Sequence, residues 1–245
     1  MGNHVLLNSI EHKDLRVITR PGADLGDNLW FTPTFPQEFR AIQAHYPIFF
    51  YKDPVSGQFH PVALFGFRRD DNLFLTEQGW TSSYIPLTLR RQPFLIGQQT
   101  VQEDGMSVHQ RVVHIDLDHP RVSQTEGEPL FQPYGGNTPF LDEVAEMLEV
   151  IHEGLADSET FIESLLAQEL LEPMTLEVGL DNGDRHQMIG FYAINESRLA
   201  ELPATALEAL HQRGHLQAIY MALASQSRVR EMMAVVNARQ TESAA

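Results

Sequence analysis

Near residue 138 the hydrophobic pattern changes its period, and this constrains the fold more than any other feature of the chain. Before that point, apolar residues come in short β-prone runs divided by turn residues. YPIFFYKD (46–53) is followed by a turn signal at Pro54 and Gly57, and QFHPVALFGF (58–67) then resumes the pattern. The two runs read as a β-hairpin. After RRDDN, the run LFL (73–75) is expected to add a third strand in meander order. FLIGQQTV (94–101) and SVHQRVVHIDLD (107–118) read as further strands, with EDG between them as the turn signal. Ahead of the hairpin, FPQEFRAIQAHY has the spacing of a short helix that turns Phe39 and Ile42 to the core.

From Thr138 onward the period is helical. In TPFLDEVAEMLEVIHEGL (138–155), Thr138 is placed as an N-cap and Pro139 as the first helical residue. Leu141, Val144, Leu148 and Ile151 recur at helical spacing. Gly154 reads as a stop and Ser158 as the cap of a second helix ending at 171. Residues 172–195 read as a hairpin closed around DNGD. A helix ending at Gly214 and a longer one over 215–238 complete the pattern. Strands followed by helices predict an α+β fold, with a mainly antiparallel N-terminal sheet and a helix-rich C-terminal half carrying one hairpin. No linker interrupts 1–238, so a single domain is expected, strand-rich over 1–121 and helix-rich over 138–238. The small polar tail 239–245 is expected to fray.

Charge narrows the function. The formal net charge is −16, and a field of that sign repels nucleic-acid phosphates and anionic lipid. No Lys or Arg stands between Arg121 and Arg185, while 15 acidic residues do. Such a stretch is either a docking surface for a basic protein partner or, more plainly, a solvated face. The absence of cysteine excludes disulfides, thiolate metal sites and a cysteine nucleophile. No apolar run has the length of a membrane span, and the first residues lack the pattern of a secretory signal. The expectation is a soluble, cytoplasmic protein without membrane insertion or nucleic-acid binding.

Three groups of side chains have the chemistry of a site. His114 and Asp116 lie two apart on a strand and share a face, the beginning of a 2-His-1-carboxylate Fe(II) site. His186 or His211 would supply the distant third ligand; His109 and His119 fall on the opposite face. In a chain with 11 histidines this pairing also arises by chance, and no cofactor is the main expectation. Asp142, Glu146 and Glu149 stand one turn apart on the acidic helix and read as a solvated face rather than an acid–base pair. Finally, GWTSSYIPLTLRRQPFLIG (79–97) sets Arg90 and Arg91 among Trp80, Tyr84 and Phe94. Guanidinium groups stack on such rings and fork onto carboxylates, so these five residues are the candidate ligand or partner contacts. An internal role, pairing with the acidic stretch, is the other reading. QPYGGNTPF (132–140) reads as a loop and cap rather than an anion site. No Gly-x-Ser-x-Gly or Gly-x-Gly-x-x-Gly occurs.

The order of YPIFF, PVALFGF, NLFL, YIPLTLRRQPF, IDLDHPRVS, GEPLF, TPFL, LLEP and IGFYAINESRLAEL resembles the SapC family of bacterial proteins, as does GHLQAIYMALASQSRVREM near the end. The resemblance spans roughly residues 5–238, nearly the whole chain. The family's name comes from a surface-array locus. Its members imply a Gram-negative setting beside outer-membrane TonB-dependent receptors, cupin-like oxygenases and flavin-dependent halogenases. That implies a cytoplasmic accessory or binding protein acting with another protein. The alternative is a small-molecule enzyme, an Fe(II)-dependent oxygenase through His114 and Asp116. No catalytic residue comes with the family.

Overall fold

The computed structural model describes residues 2–103, 106–179 and 185–243, which divide into two compact units. One unit is Met1–Asp27 with Leu87–Glu153, and the other is Asn28–Pro86 with Gly154–Ala245. Each therefore combines an early and a late segment of the chain. In chain order the strands are β1 (His4–Leu6), β2 (Arg16–Val17), β3 (Phe31–Pro33), β4 (Ile48–Lys52), β5 (Phe59–Leu64), β6 (Leu75–Thr76) and β7 (Gly79–Trp80). They continue with β8 (Phe94–Glu103), β9 (Met106–Asp116), β10 (Val122–Ser123), β11 (Glu128–Pro129), β12 (Leu171–Gly179) and β13 (Arg185–Ile194). The helices are α1 (Phe39–Ile42), α2 (Leu87–Arg90), α3 (Pro139–Ala167), α4 (Glu196–Ala200), α5 (Ala204–Gln212), α6 (His215–Ser225) and α7 (Arg228–Ser243). The paired strands run antiparallel, and the long helices come late, so the fold is α+β. Among the described residues no helix is long and apolar enough to cross a membrane.

In the first unit β8 and β9 pair from Phe94↔Ile115 outward, and β1 lies on the other edge of β9. A smaller sheet orders β10-β2-β11. Val17, Phe94, Ile115 and Leu130 form the core with Leu141, Val144 and Leu148 of α3, the apolar stripe expected from helical spacing. The cap of α3 is as expected: Thr138 Oγ1 accepts from Leu141 N–H at 3.3 Å. Beside this core lies an ion pair closed off from water. Arg121 Nη2 donates to Asp27 Oδ1 and Oδ2 at 2.7 and 2.6 Å, with the two residues only 7% and 2% exposed. Arg121 Nη1 donates to the carbonyls of Ile18 and Arg20, so the fork satisfies backbone acceptors as well.

The second unit is built on a five-stranded sheet of order β12-β13-β4-β5-β3. The β4–β5 hairpin is the one expected, in register Phe49↔Val62. Its neighbours are not. The far edge of β5 is taken by β3, with Phe31 opposite Leu64, so residues 73–75 cannot extend a meander there. Leu75–Thr76 instead pairs with Gly79–Trp80 as a separate ribbon. On the other side, β13 of the expected late hairpin joins β4 at Tyr192↔Phe50. The DNGD turn of that hairpin and the Asp104–Gly105 turn lie outside the described residues. Phe49, Val62, Leu64, Phe191 and Met232 are the centre of the core, and Trp30 packs edge-on against Phe191. Phe39 and Ile42 of α1 are fully buried, as their spacing predicts.

Two helix boundaries differ from expectation. Gly154 does not end a helix: α3 runs unbroken from Pro139 to Ala167. A Cβ at Gly154 would lie 2.2 Å from Phe35 Cδ2, so the glycine is there to admit the ring. Ser158 is not a cap, because its hydroxyl bonds back to Gly154 O inside the helix. Conversely, the last helix is two, α6 and α7. Ser225, fully buried at the end of α6, donates to Ala222 O and accepts Ile48 N–H at 2.8 Å. That side chain ties the helix end to β4 where the chain turns. The final helix reaches Ser243, beyond the 238 expected.

Candidate functional site

Trp80 and Tyr84 of the 79–97 block are tethers inside the second unit. Trp80 Nε1 donates to Tyr46 Oη at 2.8 Å, and Tyr46 Oη donates to Tyr84 O. Tyr84 Oη in turn donates to Glu38 Oε1 at 2.9 Å, while Thr34 Oγ1 donates to Glu38 Oε2 at 2.7 Å. Burial raises the Tyr46 phenol above its ordinary range, so it stays a donor. The arginines of the block belong to the first unit, on and after the short helix α2 rather than on a strand. Arg90 is exposed; Arg91 is partly buried and donates to Phe94 O at 2.7 Å. Phe94 itself is core. The counter-charge to the acidic helix comes instead from Arg111, whose Nε lies 2.9 Å from Glu149. Asp142 and Glu146 face solvent.

His114 and Asp116 are near the end of β9. The His114 ring covers Gly97 on β8, where a Cβ would meet Cε1 at 2.4 Å. Asp116 accepts the N–H groups of Asn3 and Asp118 at 2.8 and 3.2 Å. His119 is engaged separately: Nδ1 accepts Arg121 N–H, and Nε2 meets Gln92 Oε1. Among the described residues no three His, Asp or Glu side chains stand together as a metal-binding group. The side chains of His109 and His186 lie outside those described, and His211 is on α5 in the second unit.

A different group of residues does line a cavity. In the second unit a cleft of about 720 Å³ opens where α1, the second half of α3 and the start of α6 face one another. Gly214 makes this possible. It adopts φ 74°, a left-handed conformation that glycine enters without steric cost, and it separates α5 from α6. No side chain caps α6, so its first backbone N–H groups have no side-chain partner at the end where Gly214, His215 and Gln217 line the cleft. The helix dipole adds a partial positive charge there, about half a unit. Arg213 lines the wall beside it and Arg40 of α1 lines it too. Among the described residues neither arginine is ion-paired.

His215 is the one buried ionisable group of this wall, 8% exposed, with its ring edge-on to Phe161. Ser164 sets its tautomer. The Ser164 hydroxyl donates to Thr160 O at 2.9 Å, which spends its only proton. The His215 Nδ1 at 3.0 Å from that oxygen must then be the donor, as Arg213 Nη1 is at 3.3 Å. Nε2 keeps its lone pair and, among the described residues, has no hydrogen-bond partner. Burial lowers the His215 pKa, and the nearby Arg213 charge lowers it further, against a smaller opposing pull from Asp157. The ring is neutral at pH 7. The cleft therefore offers backbone N–H groups, two guanidinium groups and one imidazole lone pair.

None of these cleft residues stands out by composition. The only sequence signal is RGH at 213–215, a glycine that ends one helix and opens the next. No curated protein and no solved structure matches the chain. The protein-family model SapC matches residues 7–232, almost the whole of it. The chain belongs to the SapC family.

Proposed function

We propose that the protein is a binding protein, not a catalyst, and that the cleft at the start of α6 captures a small ligand by an anionic group. One observation carries this reading: the uncapped α6 N-terminus, Arg213 and Arg40 line a single cavity with no carboxylate paired to either arginine. Helix N-termini and guanidinium forks are the two protein groups best suited to a carboxylate or phosphate. The reading keeps the accessory role that the family resemblance implies, in a setting of surface, uptake or halogenase and oxygenase gene clusters. The exposed Asp142, Glu143 and Glu146 of α3 support a second contact, with a basic region of a partner protein.

The test is a thermal melt of the intact chain in inorganic phosphate or acetate, against chloride at equal ionic strength. A ligand that binds only the native state raises stability by about 2.7 kcal/mol at a hundred times its Kd. We expect phosphate or acetate to raise the melting midpoint, and Arg213→Gln with Arg40→Gln to abolish the rise. Equal midpoints in all three salts overturn the reading.

A further inference from the structure

We infer that the ligand of this cleft is bipolar, a small molecule carrying a primary ammonium as well as its anionic group. The inference rests on the anion reading above and extends it to the opposite wall. That wall is α3, which presents Asp157 and Glu163 to the same cavity. The two residues are six apart, about 9 Å along a helix that rises 1.5 Å per residue. Both are exposed, and among the described residues neither is ion-paired. Asp157 is nevertheless held in place: Gln37 Nε2 donates to its Oδ2.

The cleft thus keeps two cations and two carboxylates in one cavity without joining them. Their formal charges cancel, so a simple anion gains from one wall and loses to the other. A zwitterion gains from both. His215 reinforces the sense of the arrangement. More than nine-tenths buried, with Nδ1 committed to Ser164, it leaves an Nε2 lone pair in the wall that is unpartnered among the described residues. A neutral imidazole in that state accepts a hydrogen bond from an ammonium and gives none to a carboxylate at that atom. Anion recognition thus lies at Arg213, Arg40 and the α6 N–H groups; ammonium recognition lies at Asp157, Glu163 and His215 Nε2.

The experiment is a calorimetric titration of the full chain with ω-amino carboxylates from β-alanine to 6-aminohexanoate, each beside its deaminated counterpart. We expect at least one amino compound to bind ten-fold or more tightly than its counterpart. Asp157→Asn with Glu163→Gln should erase that preference and leave the affinity for the plain carboxylate in place or improved. Arg213→Gln should weaken both compounds together. Equal binding of every pair overturns the bipolar ligand while the anion reading stands. A failure of every compound to bind, amino or plain, overturns both.

Discussion

Ser164 Oγ stands 3.0 Å from Nδ1 of His215, with its own proton turned away to Thr160 O. The pair fixes His215 as a neutral Nδ1–H imidazole, and burial holds its pKa below the ordinary 6.5. As pH falls through 6.5 the unfolded chain takes up a proton that the folded chain refuses. Stability contributed by this group is therefore complete above about 6.5 and declines with acidification until the lowered folded value is reached. NMR titration of the His215 ring should give a midpoint below 6.5. In His215→Asn the loss of stability across that window should be smaller than in the wild type. A midpoint at or above 6.5 would contradict the assignment.

Arg121 and Asp27 form the most buried ion pair among the described residues, 8% and 3% exposed at their side chains. Removing one partner strands the other charge away from water, at a cost of about 3–5 kcal/mol. Asp27→Ala should lose that much in urea unfolding, and so should Arg121→Met. The double substitution should cost much less than the sum, since no charge is left uncompensated. Additive losses would mean that the two residues stabilise the unit independently.

How far the chain could be read follows from which forces act locally. The β4–β5 hairpin, the Thr138 cap and the apolar stripe of α3 rest on turn chemistry and side-chain period, which neighbours in sequence determine. The partners of that hairpin do not. β3 and β13 reach it from 31–33 and 185–194, and no local pattern specifies a non-local edge. Gly154 was legible as a glycine but not as a glycine against Phe35, a residue over a hundred positions away. The candidate contacts of 79–97 are separated in the same way, with Trp80 and Tyr84 in one unit and Arg90, Arg91 and Phe94 in the other. The cleft assembles Arg40 from α1, Asp157 and Glu163 from α3, Arg213 from the end of α5 and His215 from the start of α6, and only the glycine at 214 marked any of it.

Ser225 shows what a small polar side chain does at a helix end. It accepts the N–H of Ile48, the first residue of β4, in a site with no exposure. Ser225→Ala leaves that donor without a partner. Desolvation of one buried group costs about 1–3 kcal/mol, well above the small gain in helix propensity. The melting midpoint should fall. Hydrogen exchange at the Ile48 amide should accelerate more than at Phe50, which lies deeper in the sheet, and equal acceleration would point to global destabilisation alone.

Gly154→Ala sets two effects of opposite sign against each other. In an exposed helix the change stabilises by about 1 kcal/mol, because glycine is the poorer helix former. At this position the new methyl carbon would sit 2.2 Å from Phe35 Cδ2 and 2.6 Å from Cε2, with a ring only 1% exposed and unable to swing into solvent. Forcing an extra carbon into a packed core costs about 1–3 kcal/mol. Overpacking should win, and the variant should melt below the wild type. Phe35→Leu separates the terms. Alone it opens a cavity and destabilises. Combined with Gly154→Ala it makes room for the methyl, so the double variant should melt above Phe35→Leu by itself. If Gly154→Ala alone raises the midpoint, α3 and Phe35 are not in the close contact that carries the helix unbroken through residue 154.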